Sequence, residues 1–199
     1  MNETTDELMD ATYAALCKHG YASLRMQDIA DESSKSKSTL HYYYDSKQDL
    51  LYSLFDYLQR SFAERIAGLE GDTPDEQLVA LIETYLAPRN EETFQRFRTA
   101  LLEIKAQGPY DDRFRSELAD FDRLLHYRFQ SILERGQEAG TFRDEIDPDQ
   151  TADFIVTVLN GVQTRHVAVG HPLERSCETL ETYISEHVLV SDRVEVSVE

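Results

Sequence analysis

Gly20-Tyr21-Ala22-Ser23-Leu24-Arg25-Met26-Gln27-Asp28-Ile29-Ala30, then Ser36-Lys37-Ser38-Thr39-Leu40-His41-Tyr42-Tyr43-Tyr44, then Ser46-Lys47-Gln48-Asp49-Leu50-Leu51 is the stretch that decides the fold. Ile29 and Ala30 are the packing positions of one short helix, about Met26 to Glu32, and Leu40 that of another, Lys37 to Tyr43. Ser33 and Ser34 supply turn chemistry between them, and the Ser36 hydroxyl can cap the second helix. Two short helices joined by a tight turn form a helix-turn-helix, with Leu40 as buried anchor and its polar neighbours left to enter a major groove. Those neighbours are Lys37, Ser38, Thr39, His41, Tyr42 and Tyr43: donors, acceptors and flat rings. The chain carries a net charge of −18, yet Lys35 to Tyr44 contains no Asp or Glu. Lys47 opens the next helix, where its cation and the helix N-terminal amides can meet a phosphate.

Helical periodicity continues in both directions. Leu8, Ala11, Ala15 and Leu16 form the apolar face of a first helix, which His19-Gly20 closes. Asp45 and Ser46 cap a long fourth helix carrying Leu50, Leu51, Leu54, Phe55, Leu58, Phe62 and Ile66 up to Gly68. Thr73-Pro74-Asp75-Glu76 joins an N-cap, a proline at the first helical position and a capping-box glutamate, and starts a fifth helix that ends near Pro88. A sixth opens at Asn90-Glu91-Glu92. A seventh runs from about Asp111 to Glu138, and an eighth starts at Asp147-Pro148-Asp149. Gly170-His171-Pro172 breaks the eighth before a ninth from Leu173 to His187. Val188 to Val198 alternates as a strand or a loose tail would. The expected fold is all-α, a three-helix head with a helix-turn-helix followed by a six-helix body. Its expected domains are residues 1–46, 47–190 and a tail, 191–199.

Composition narrows the function classes. No apolar run approaches the roughly 18 residues of a membrane span, and Met1-Asn2-Glu3 does not begin a signal peptide, so a cytoplasmic protein away from the membrane is expected. Cys17 and Cys177 read as reduced, packed thiols. A pI near 4.6 is unusual for a nucleic-acid binder. Lysine is confined to five positions and the acids are spread along the whole chain, which is how a halophile's protein looks. In molar salt the Debye length falls to about 3 Å, so dispersed carboxylates repel DNA weakly. Neither a catalytic set nor a metal site nor a cofactor is expected: His166, His171 and Cys177 straddle the Gly170 to Pro172 break without ligand spacing. The competing reading is a protein-interaction module without DNA binding.

The head resembles the TetR family, whose pattern runs close to Gly-Tyr, Asp-Ile-Ala, Ser-Lys-Xaa-Thr-Leu-Tyr-Xaa-Xaa-Phe and Ser-Lys-Xaa-Xaa-Leu. The likeness covers about the first 55 residues. It implies an effector-responsive DNA-binding regulator, commonly a repressor, with Ser38, Thr39, His41 and Tyr42 toward bases and Lys37, Tyr43 and Lys47 toward phosphates. Three departures stand out. Ser33-Ser34-Lys35 replaces the family's Ala-Gly-Val turn and leaves the turn geometry open. His41 and Tyr44 replace the motif's tyrosine and phenylalanine, so no operator sequence carries over. Glu3, Asp6 and Glu7 stand where basic residues often precede the first helix. The body is similar to the betaine-regulator branch at Gly136-Gln137-Glu138-Ala139-Gly140-Thr141-Phe142, Asp147-Pro148 and Leu159-Asn160-Gly161-Val162. The resemblance further implies a homodimer through the last two long helices and an unknown small-molecule effector. Candidate effector contacts are Tyr85, Phe94, Phe97, Arg98, Phe121, Leu125 and Tyr127.

Overall fold

The computed structural model describes residues 3–69, 71, 73–86 and 91–190, without the side chains of residues 3 and 91–94. Helices follow in the order α1 (Glu3–Ser23), α2 (Met26–Asp31), α3 (Lys37–Tyr43), α4 (Lys47–Ala67), α5 (Pro74–Leu86), α6 (Glu91–Lys105), α7 (Asp112–Glu138), α8 (Pro148–Val169) and α9 (Leu173–His187). Among the described residues no strand forms; extended backbone pairs at an isolated bridge between Phe142 and Leu189. The all-α architecture agrees with the sequence reading. The expected strand or tail lies, from residue 191 onward, outside the described residues, as does Asn90.

Two compact units make up the chain, residues 1–67 with 88–123, and residues 68–87 with 124–199. The first gathers Leu8, Ala15 and Leu16 of α1, Ile29 of α2, Leu40 of α3, Leu50, Leu51 and Leu54 of α4, Ala100 and Ile104 of α6, and Phe114 of α7 into one core. Burying each such leucine contributes about 1.5–3 kcal/mol. Phe114 is its aromatic hub, with ring centroids of Tyr52 at 4.7 Å, Tyr21 at 5.9 Å and Phe55 at 6.0 Å. Helix α1 does not stop at Gly20 as its sequence implies. The backbone breaks there, at φ 69° and ψ 168°, and one more turn follows to Ser23. Glu103 of α6 accounts for that extra turn: its Oε2 accepts from Tyr21 N at 2.7 Å and from Ala22 N at 3.3 Å, the amides the break exposes.

The second unit explains the body motifs. Asp147 caps α8 by accepting from Asp149 N and Gln150 N, and Gly170 ends it in the left-handed conformation. A Cβ on Gly136 would lie 1.9 Å from the Phe142 ring, so glycine is what lets that buried ring close over α7. The backbone after Phe142 then binds the end of α9: Arg143 N donates to Val188 O and Val190 N donates to Thr141 O. The Arg143 guanidinium adds bonds to the Leu189 and Glu186 carbonyls. Phe154 of α8 is 42% exposed, and its ring lies tilted against that of Tyr183 of α9 with centroids 4.9 Å apart.

Candidate nucleic-acid interface

Helix α3 is presented by its own ends and by one anchor. The Ser36 hydroxyl accepts from Thr39 N at 3.2 Å and pairs with the Thr39 hydroxyl at 3.0 Å, which caps the helix and turns the Thr39 side chain back along it. Leu40 is fully buried and pins α3 to the first core. Lys37, Ser38, His41, Tyr42 and Tyr43 are all exposed and Thr39 half-buried, so every residue of α3 except Leu40 reaches solvent. Tyr42 is 82% exposed, with Tyr43 against it edge to face at 5.1 Å. Each ring offers a flat apolar face with a polar hydroxyl at its tip, chemistry suited to a partner surface.

Lys47 is placed differently from its neighbours in this set. Its Nζ donates to the Tyr21 carbonyl at 3.0 Å and sits 4.9 Å from the centre of the Tyr21 ring. Burial lowers the pKa of its ammonium below the ordinary lysine value. Lys47 thus ties the start of α4 to the end of α1. Beside it Ser46 and Asp49 cap α4 reciprocally, the Ser46 hydroxyl accepting from Asp49 N at 3.1 Å and donating to the Asp49 carboxylate at 2.9 Å.

The turn between α2 and α3 is built without glycine and without left-handed backbone, since no described non-glycine residue has positive φ. Side chains do the work instead. Ser33 Oγ donates to the Ala30 carbonyl at 3.3 Å and accepts from Lys35 N at 3.1 Å. Glu7 of α1 reaches across to accept from Ser34 N at 2.8 Å and to pair with Lys35 Nζ at 3.1 Å. Hydrogen bonds from Ser34, then from Lys35, lower the Glu7 pKa from 4.5 to about 2. Sequence reasoning marked Glu7 only as an acid in a place where bases are common. The nearer of its partners, Ser34, lies 27 residues away, and no local pattern could have joined them.

The residues singled out for an effector fall in both units. Phe97, Arg98 and Phe121 belong to the first. There Phe97 stacks on Tyr13 at 5.0 Å, Phe121 packs on Phe62 at 5.2 Å, and Arg98 is buried. Tyr85, Leu125 and Tyr127 belong to the second. Tyr85 is buried and its hydroxyl lies 3.2 Å from Asn160 Oδ1 and 3.3 Å from Gln163 Oε1; Leu125 is buried and Tyr127 is 66% exposed. The Phe94 side chain lies outside the described residues.

Comparison with known proteins agrees with this geometry. Residues 8–54 match the family model for bacterial regulatory proteins of the tetR family, and residues 74–189 match that of the BetI-type transcriptional repressor C-terminal domain. The chain belongs to the TetR family of transcriptional regulators. A TetR transcription regulator from Haloarcula marismortui has a crystal structure that superposes with a TM-score of 0.86 at 33% identity, over 94% of this chain and 100% of that one. The repressor AcnR of Corynebacterium glutamicum is 23% identical over 88% of this chain and 87% of its own. The regulator BetI of Agrobacterium fabrum is 24% identical over 83% of this chain and 78% of its own. A Saccharomonospora viridis regulator crystallised with choline shares the fold at a TM-score of 0.80 and 20% identity, over 96% of this chain and 100% of that one. The protein is therefore a DNA-binding transcriptional regulator and not an enzyme. TetR regulators bind operator DNA, usually as dimers that respond to small molecules. Among the described residues no helix is long and apolar enough to cross a membrane.

Proposed function

We propose that this regulator reads its operator with α3, Ser38, Thr39, His41 and Tyr42 meeting base edges while Lys37, Tyr43 and Lys47 lie along phosphates. The supporting observation is the acid-free exposed face of α3, held outward by buried Leu40 and the Ser36 cap. Residues 1–46 act as the reading head, 47–190 as the effector and dimerisation domain and 191–199 as a tail. Helices α8 and α9 pair with those of a second copy, and the exposed Phe154 and Tyr183 are consistent with that pairing. The dimer sets its two α3 helices for half-sites roughly 34 to 36 Å apart. The outcome is repression. A small molecule contacting residues among Tyr85, Phe94, Phe97, Arg98, Phe121, Leu125 and Tyr127 favours a conformer with the wrong spacing and releases the DNA.

The acidic surface suits work in molar salt, so the deciding experiment is binding of the full chain to its own upstream DNA in molar KCl, with scrambled DNA of equal length as control. Preference for the upstream DNA by a dimer is expected. Equal binding to both duplexes would remove α3 as the reader. Choline, the ligand of the Saccharomonospora viridis regulator, is the first effector to titrate against that complex.

A further inference from the structure

Residues 1–46 hold four cations, Lys18, Arg25, Lys35 and Lys37, against eight carboxylates, an inverted balance for a surface that meets a polyanion. The fold reduces the available cations further. Lys18 Nζ lies 2.8 Å from Glu32 Oε1 and Lys35 Nζ lies 3.1 Å from Glu7 Oε2. Among the described residues of the head, Arg25 and Lys37 are the exposed cations with no carboxylate in ion-pair contact.

Glu7 takes more than one lysine out of play. One of its oxygens accepts the Ser34 amide and the other holds the Lys35 ammonium, immediately before the Ser36 cap of α3. A backbone N–H beside an ammonium, at the entrance to a helix that reads DNA, is the donor pair a phosphate oxygen would accept from. Here a carboxylate of the same chain fills that place.

We propose that Glu7 is a specificity-determining residue: as an internal counter-ion it withholds the Ser34 amide and the Lys35 ammonium from DNA phosphates, so the head depends on the base-facing side chains of α3. The proposal rests on α3 as the DNA-facing element. Non-specific binding is carried by phosphate contacts, and each phosphate neutralised adds about −0.9 to the slope of log affinity against log salt. A head sliding over random DNA can always find a phosphate for a released lysine. A head fixed on its operator by base contacts is limited to the phosphates its register offers. Withholding Lys35 therefore suppresses off-site binding more than operator binding.

The test uses fluorescence anisotropy of the full chain on a random duplex and on its own upstream DNA, from 0.1 to 1 M KCl. Glu7→Gln keeps an oxygen for Ser34 N but removes the charge that holds Lys35. On the random duplex its slope should steepen by about 0.9 per bound head, an extra gain of about eightfold for each tenfold fall in salt. Its preference for the upstream DNA should fall. Glu7→Gln with Lys35→Gln should return to the wild-type slope, and Lys35→Gln alone should leave that slope unchanged. A Glu7→Gln slope equal to wild type overturns the proposal. So does a shallower slope for Lys35→Gln alone, which would place Lys35 on a phosphate already. If circular dichroism shows Glu7→Gln unfolded, Lys35→Gln decides alone: an unchanged slope supports the proposal and a shallower one overturns it. Wild-type protein that holds both duplexes equally tightly would instead be a failure of the α3 reading.

Discussion

At the scale of single residues, the α3 face owes its legibility to chemistry within ten positions. A cap at Ser36, an anchor at Leu40 and the uncharged polar residues around them fix which side chains point outward, and the structure places them so. Tyr42→Ala should weaken operator binding by about 1–3 kcal/mol with a smaller loss on random DNA. Equal losses in paired anisotropy titrations would make Tyr42 a backbone contact. Glu7 was illegible for the opposite reason, since its role depends on where α1 lies relative to a turn far along the chain. Its depressed pKa fixes the sign of a pH effect. The ionised form is favoured by the fold, so its stabilisation is complete above 4.5 and is lost as pH falls toward about 2. The melting-temperature gap between wild type and Glu7→Gln should be flat from pH 5 to 8 and should narrow below 4.5. A gap that widens on acidification would show that Glu7 does not bind the turn as a carboxylate. In the second unit, Gly136→Ala forces a methyl into the Phe142 ring and should cost about 1–3 kcal/mol, read as a lowered melting temperature.

At the scale of elements, the sequence placed helix starts and stops well because most carry their own punctuation: Ser36 before α3, Pro74 at the start of α5, Asp147-Pro148 before α8, Gly170 after it. The end of α1 shows the limit of such signals. Gly20 reads as a stop, and the backbone does break there, but the turn beyond it persists because a carboxylate from α6 takes its exposed amides. Two substitutions separate the contributions. Gly20→Ala places a side chain where φ 69° and ψ 168° admit little but glycine, at a cost of about 1–3 kcal/mol. Glu103→Ala removes the cap and should cost about 0.5–2 kcal/mol. If urea titration finds Glu103→Ala as stable as wild type, the turn from Tyr21 to Ser23 stands without α6.

For the whole molecule, charge is the dominant global property and also the one that hid the function. A net charge of −18 argued against DNA as a partner, while the helix-turn-helix pattern and the absence of acidic residues from Lys35 to Tyr44 argued for it. The body was legible as helices but not as a binding site, since aromatic residues at helical spacing pack a core and line a cavity with the same pattern. Phe97 and Phe121 each have a ring partner within their own unit. Because self-repulsion falls as salt screens it, the melting temperature should rise between 0.1 and 2 M KCl. A flat or falling trend would show that the carboxylates are already compensated at low salt. The glycine-free turn has a practical side as well. Its shape is held from α1 by Glu7, so the segment from Ser33 to Tyr44 is not a self-contained cassette. A chimera that transplants only this segment into another regulator would import the letters of the reading helix without the hinge that aims it, and a design that keeps its aim must carry α1 along.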